Sequence, residues 1–73
     1  MRKIERLQAR GFLSPGEVAS LIGVSEATLR SWRRSGRGPV FFKVGATVVY
    51  REQDVDRWLE AQAVDPAVMK EAV

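Results

Sequence analysis

The sequence has 73 residues and a formal net charge of +3, and it contains neither cysteine nor histidine. Its length supports one small domain. The lack of cysteine excludes disulfides and thiolate metal sites, and the lack of histidine removes the commonest general base and metal ligand. No apolar run approaches the about 20 residues of a membrane-spanning helix, and no signal-peptide pattern is present. These features predict a cytoplasmic protein that binds no membrane, cofactor, metal or small-molecule ligand.

The charges are distributed unevenly along the chain. Residues 1–51 contain ten Lys or Arg and three Asp or Glu, whereas residues 52–73 contain two and six. Such an asymmetry predicts a basic face, as in proteins that bind nucleic acids, followed by an acidic C-terminal part. The alternative interpretation is a solvated surface on which the charges cluster by chance.

The chain divides into a basic N-terminal arm (residues 1–12), a central domain (13–62) and a C-terminal tail or short helix (63–73). In the arm, Ile4 and Leu7 are three residues apart, which is compatible with a short helix that docks on the domain. A frayed arm is equally compatible with the sequence.

The first clear helix start lies at Ser14. Ser14 is a suitable N-cap, and Glu17 three residues later completes a capping box. Three apolar residues then follow at helical spacing: Val18, Leu21 and Ile22. Gly23 is placed to end this helix in a left-handed cap.

A second helix follows after a tight turn, with Ser25 as its N-cap, and stops before Gly36. Two short helices joined by a tight turn that contains glycine are typical of a helix-turn-helix unit, whose second helix enters the major groove of DNA. With Leu29 and Trp32 facing the core, the residues predicted to face the bases are Glu26, Ala27, Arg30, Ser31 and Arg34. The residues predicted to contact the DNA backbone are Ser25, Thr28, Arg33 and Arg37.

The arginines of this second helix allow two interpretations. Their guanidinium groups favour a helix C-terminus through the helix dipole without any ligand. However, four arginines lie between residues 30 and 37 with no acidic residue among them, directly after the turn, and this favours DNA contact. Arg30 can offer two hydrogen bonds to one guanine. Trp32 shares a face with Leu29, which favours a core position over base stacking.

Residues 40–50 are rich in strand formers, and Gly45 and Ala46 in their middle predict a two-stranded hairpin. A hairpin directly after a recognition helix is expected to be a wing that reaches the DNA backbone or the minor groove. Arg51 is a further basic residue at its end. The wing residues predicted to contact DNA are Lys43, Gly45, Ala46 and Thr47. The alternative is that the hairpin only covers the core.

A last helical pattern begins after Arg51. Its apolar face consists of Val55, Trp58 and Leu59, and its acidic face of Glu52, Asp54, Asp56 and Glu60. Asp65 and Pro66 suggest a further helix start. The predicted fold class is therefore α+β and mostly helical: a small winged helix-turn-helix, with a two-stranded wing and a following helix.

The order of these motifs resembles the excisionase and MerR-like family of winged helix-turn-helix DNA-binding proteins. The resemblance covers residues 12–60 and rests on the segments LSPGEVA (13–19), LIGVS (21–25), TLRSWRRSG (28–36), GP (38–39), FFKVG (41–45), VVYR (48–51), DV (54–55) and WL (58–59). It implies a protein that binds repeated attachment-site sequences cooperatively with neighbouring copies, bends the DNA and directs a tyrosine integrase towards excision. Other members are small stand-alone transcriptional regulators, and the sequence does not separate the two roles.

The chain departs from the family at the wing. Family members usually carry Arg or Lys at the tip and in the returning strand, where this chain has Ala46, Thr47 and Val49. Phe42 and Val49 are therefore expected to be exposed, and to be available to a neighbouring copy or an integrase.

Two other functional classes fit the sequence less well. An enzyme is not predicted, because the only candidate catalytic groups are carboxylates on the polar side of the last helix. A protein-interaction module is the third possibility, and it predicts no DNA binding even at low salt.

Overall fold

The fold is a helix-turn-helix packed on a small antiparallel sheet. The computed structural model describes residues 2–66, and these form four helices and three strands. In chain order they are α1 (Lys3–Gln8), β1 (Phe12–Leu13), α2 (Pro15–Ile22), α3 (Glu26–Ser35), β2 (Phe42–Val44), β3 (Thr47–Arg51) and α4 (Glu52–Ala61). The predicted fold class is confirmed. None of the helices in this part of the chain is long and apolar enough to cross a membrane.

Helix α2 begins and ends at the predicted caps. The Ser14 hydroxyl accepts a hydrogen bond from the Glu17 backbone N–H at 3.2 Å, and the Glu17 carboxylate accepts one from the Ser14 backbone N–H at 3.0 Å. This reciprocal capping box satisfies two N–H groups at the helix start. At the other end Gly23 adopts a left-handed conformation with φ +84°.

The sheet has three strands in the order β1-β3-β2, and both pairings are antiparallel. Strands β2 and β3 form the predicted hairpin, with residues 45 and 46 as its loop. Strand β1 is not predicted from the sequence, because two residues are too short to show strand periodicity. β1 pairs with the other edge of β3, with Phe12 opposite Arg51 and Leu13 opposite Tyr50.

The hydrophobic core lies between α2, α3, β3 and α4. Its buried side chains are Val18, Ala19, Leu29, Tyr50 and Val55. Trp32 is half-buried and packs against this core, as predicted, with its ring 5.6 Å from that of Trp58. Leu21, although it lies at helical spacing with Val18, is 58% exposed.

The N-terminal arm forms a docked helix, which settles the choice between helix and frayed chain. α1 packs against β1 and β3, and Ile4 and Leu7 are half-buried. The Gln8 side chain donates a hydrogen bond to the Glu17 carboxylate of α2. The sheet is therefore covered on both faces, by the helix-turn-helix on one and by α1 on the other.

This second layer corrects the expectation that Val49 and Phe42 are exposed. Val49 is fully buried, because successive strand residues point to opposite faces and the face opposite Tyr50 is the one that α1 covers. Phe42 is half-buried and meets the ring of Phe12 edge-on, with 5.5 Å between the centroids. The proposed apolar wing surface built on these two residues is therefore wrong.

The prediction that Asp54 lies on the acidic, solvent-facing side of the last helix is also wrong. It is only 6% exposed, because Arg51 pairs with it through two hydrogen bonds, at 3.0 Å and 3.3 Å. The Arg51 guanidinium also lies 5.2 Å from the centre of the Phe42 ring. Of the predicted C-terminal tail or short helix, residues 67–73 lie outside the described residues.

Candidate nucleic-acid interface

Helix α3 has one face in the core and one face in solvent. Leu29 is fully buried and Trp32 half-buried, so these two side chains fix the rotation of the helix about its axis. The five residues predicted to read bases are all exposed: Glu26, Ala27, Arg30, Ser31 and Arg34. The 3.6-residue helical period brings them together on the side of α3 away from the core.

The N-terminus of α3 is closed by its cap. The Ser25 hydroxyl accepts a hydrogen bond from the Thr28 backbone N–H at 3.0 Å and donates one to the Thr28 hydroxyl at 2.9 Å. The backbone N–H groups of Glu26 and Ala27, in the first turn, have no partner within the helix. An anion such as a phosphate can bind at this helix end.

Glu26 leans towards α2 rather than straight out of α3. A Cβ atom placed on Gly16 would lie 3.6 Å from the Glu26 carboxyl carbon, so this carboxyl group sits over the first turn of α2. Among the side chains predicted to read bases, Glu26 is the only acidic one, and a carboxylate can accept a hydrogen bond from cytosine N4.

Arg30 and Arg34 are the free cations of α3. They lie four residues apart on one side of the helix, and both are exposed. Within residues 2–66 neither of them forms an ion pair, since the ion pairs there involve other arginines. Both guanidinium groups are therefore available to an external anion.

Arg33 is used by the fold. Its guanidinium donates a hydrogen bond to the Tyr50 hydroxyl at 2.9 Å and lies 5.9 Å from the centre of the Phe41 ring. Tyr50 is fully buried, and a buried hydroxyl is costly without a partner. Arg33 thus connects α3 to β3. Arg37, after the helix, is exposed and lies 5.9 Å from the centre of the Trp32 ring.

The wing tip is narrow and nearly uncharged. Gly45 has φ +63° and stands first in a two-residue loop, which fits a type II′ hairpin turn and favours glycine there. Lys43 and Ala46 are exposed and Thr47 is half-buried. A residue not predicted from the sequence also lies at the tip: the Lys3 ammonium of α1 donates a hydrogen bond to the Val44 carbonyl at 3.2 Å.

The described residues contain no cluster of three or more acidic side chains placed to hold a metal ion. Glu17 has a hydrogen-bonded carboxylate. Its pKa is lowered, chiefly because it accepts a hydrogen bond from the Ser14 backbone and then one from the Gln8 side chain. This carboxylate caps α2 and anchors α1, so its role is structural.

Comparison with protein families agrees with this architecture. The model of a family described as a helix-turn-helix domain matches residues 12–63, from the start of β1 to just beyond α4, and thus most of the chain. α1 precedes the matched segment. A comparison with curated protein sequences found no match.

Proposed function

Because the chain belongs to the helix-turn-helix domain family, a DNA-binding family that includes excisionase-like proteins, we propose that it binds double-stranded DNA sequence-specifically through α3. Residues 13–62 form the DNA-binding domain, and the protein performs no catalysis itself. One observation carries this proposal: the side chains predicted to read bases are all exposed on one face of α3. The opposite face is anchored in the core by Leu29.

In the proposed complex α3 lies in the major groove, which is wide enough to admit a helix. Arg30 donates two hydrogen bonds to a guanine, and the shorter Ala27 and Ser31 let the helix approach the base edges. Arg34, near the helix end, contacts a phosphate, as do Arg33 and Arg37.

Two further elements position the protein on the backbone. At the start of α3, Ser25 and Thr28 hold the first turn in place, and its N–H groups bind another phosphate. The wing lies along the neighbouring backbone through Lys43 and its loop, where Gly45, Ala46 and Thr47 have small side chains that permit close approach. These contacts fix the register of α3 but carry no sequence information.

We further propose that the protein is an excisionase. In this role several copies bind repeated attachment-site sequences cooperatively, bend the DNA and direct a tyrosine integrase towards excision. The support is the motif resemblance over residues 12–60, together with a family that includes excisionase-like proteins. A small transcriptional regulator of the same fold is the competing role.

A gel-shift titration on the DNA that flanks the encoding gene tests both DNA binding and the excisionase role. Arg30→Ala is titrated in parallel as the variant that lacks the proposed base contact. A ladder of cooperative, bent complexes at an attachment site next to an integrase gene is the expected result. A single complex at a promoter would favour the transcriptional regulator instead. No complex with any duplex at low salt would contradict DNA binding and favour a protein-interaction module.

A further inference from the structure

The wing lacks basic side chains at its tip, yet a cation is present there. The Lys3 ammonium, on α1, donates a hydrogen bond to the Val44 carbonyl at 3.2 Å, across 41 positions of sequence. Val44 is the last residue of β2, directly before the loop. Ala46 and Thr47 carry no charge, so Lys3 brings to the tip a charge that the hairpin does not supply.

The ammonium lies against the loop itself. A Cβ atom built on Gly45 would be 3.0 Å from Lys3 Nζ, which is closer than most real contacts of a Cβ atom. The missing side chain at Gly45 therefore makes room for the ammonium. An ammonium carries three N–H donors, and the Val44 carbonyl accepts one of them, which leaves two for another acceptor.

α1 holds Lys3 in this position before any ligand arrives. Ile4 and Leu7 are half-buried, and Gln8 is hydrogen-bonded to Glu17 of α2. Because the backbone of α1 is docked on the sheet, binding through Lys3 orders only a side chain. The entropic cost of binding is correspondingly small.

The local charge balance leaves Lys3 uncompensated. Its neighbour Arg2 pairs with Glu5 at 2.8 Å, whereas Lys3 forms no ion pair among the described residues. Lys43 of β2 is exposed on the same hairpin. Lys3 is therefore the cation that the described residues place at the tip, and the nearby Glu5 is paired with Arg2 instead.

We propose that Lys3 and the β2–β3 hairpin form a composite wing, in which the Lys3 ammonium binds a DNA phosphate beside the site that α3 occupies. A lysine suits this role because it acts as a point charge on phosphate. The contact positions the protein and does not read bases. The proposal rests on the proposed function, since α3 has to lie in the major groove to bring the wing to the backbone.

The test compares the salt dependence of DNA affinity for the wild-type protein, Lys3→Gln and Lys3→Arg. The slope of log K against log salt is negative, and removing one lysine or arginine that binds a phosphate reduces its magnitude by roughly one. We expect Lys3→Gln to weaken binding several-fold at low salt and to reduce the magnitude of this slope by about one, equally for specific and random duplexes. Lys3→Arg keeps the charge and is expected to retain the wild-type slope.

The matched control is Arg57→Gln on α4. It removes the same unit charge from a side chain that is 74% exposed, and Asp54 keeps its pairing with Arg51. We expect this variant to keep the wild-type slope. The midpoint of thermal unfolding is expected to stay unchanged for Lys3→Gln, because the bond it removes is exposed.

A scan of neutral methylphosphonate linkages then locates the contact. At one position beside the site, a neutral linkage is expected to weaken DNA binding by the wild-type protein. The same linkage is expected to leave DNA binding by Lys3→Gln unchanged. If Lys3→Gln keeps the wild-type slope while Arg34→Ala makes the slope less negative, the composite wing is wrong. The proposed function then stands. If the wild-type protein binds no duplex at low salt, both are wrong.

Discussion

Helix α3 and the sheet use arginine in opposite ways. Arg30 and Arg34 project from α3 into solvent without an ion pair among the described residues. Arg51, at the end of β3, has its guanidinium bound to the buried Asp54 carboxylate and stacked on Phe42. A count of basic residues in the sequence treats these arginines as equal. The structure separates charges that are free for a ligand from charges that the fold has already used.

The largest expected effect is a loss of stability on substitution of Arg51, which pairs with the buried Asp54. Arg51→Ala removes the closest partner of a nearly buried carboxylate, and among the described residues the ion-pair partner that remains for Asp54 is Arg57, at 3.8 Å. We expect the free energy of unfolding, measured by urea denaturation, to fall by about 3 kcal/mol. Arg57→Ala is the matched control, and we expect it to cost under about 0.5 kcal/mol because that side chain is exposed.

A double-mutant cycle with Asp54→Ala sharpens this prediction. If Arg51 acts through Asp54, the second substitution removes the buried charge and recovers part of the loss. If the stability losses of the two single variants simply add in the double variant, Arg51 does not act through Asp54. The contrast between Arg51 and the unpaired arginines of α3 would then be weaker.

The next largest effect concerns the arginine proposed to read a base. We expect Arg30→Ala to cost about 1–3 kcal/mol in specific DNA binding and to relax specificity at one base pair. The free energy of unfolding is expected to change little, because the side chain is exposed. The change in specificity is measured by competition with duplexes that are varied one base pair at a time. Equal losses on specific and random DNA would remove Arg30 from base reading.

Arg33 lies between these two extremes. Its hydrogen bond to the buried Tyr50 hydroxyl implies that Arg33→Ala lowers the free energy of unfolding by about 1–2 kcal/mol, through an unpaired buried hydroxyl. Tyr50→Phe removes that hydroxyl, so the same substitution is expected to cost clearly less in a Tyr50→Phe background. An unchanged cost there would show that contact with Phe41, and not the hydrogen bond, accounts for the role of Arg33.

The smallest effect is a pH dependence at the start of α2. The pKa of Glu17 is lowered by hydrogen bonds from the Ser14 backbone and the Gln8 side chain, so the ionised form stabilises the fold. This contribution is complete above the ordinary glutamate pKa of about 4.3 and is lost as the pH falls through the lower pKa of the folded state. Glu17→Gln retains a capping side chain without the titration.

Urea unfolding of the two proteins from neutral to acidic pH measures this contribution. We expect the stability of the wild-type protein to decline more than that of Glu17→Gln below about pH 4.3. Parallel declines would assign the acid sensitivity to other carboxyl groups.

The helix-turn-helix could be predicted from sequence because its determinants are local. The capping box of Ser14 and Glu17, the left-handed Gly23 and the Ser25 cap each act within a few residues. The same holds for the exposed face of α3, which follows from the helical period once Leu29 is placed in the core. That these exposed residues contact DNA stays a prediction.

The sheet could be predicted only in part, because its remaining features depend on distant partners. β1 exists through its pairing with β3, and Val49 is buried because α1 docks across the sheet. Asp54 is buried because Arg51 reaches it from the strand before. No local pattern marks Lys3 as a neighbour of the wing tip, since the two are 41 positions apart in sequence.

The salt dependence of DNA binding by Arg34→Ala, set against Arg57→Ala, tests most directly whether the outward face of α3 binds DNA. Both substitutions remove one exposed positive charge, one from α3 and one from α4. We predict that Arg34→Ala weakens binding to all duplexes and reduces the magnitude of the negative slope of log K against log salt by roughly one, while Arg57→Ala keeps the wild-type slope. Equal slopes for the wild-type protein and Arg34→Ala, or a decrease confined to Arg57→Ala, would contradict the proposed interface.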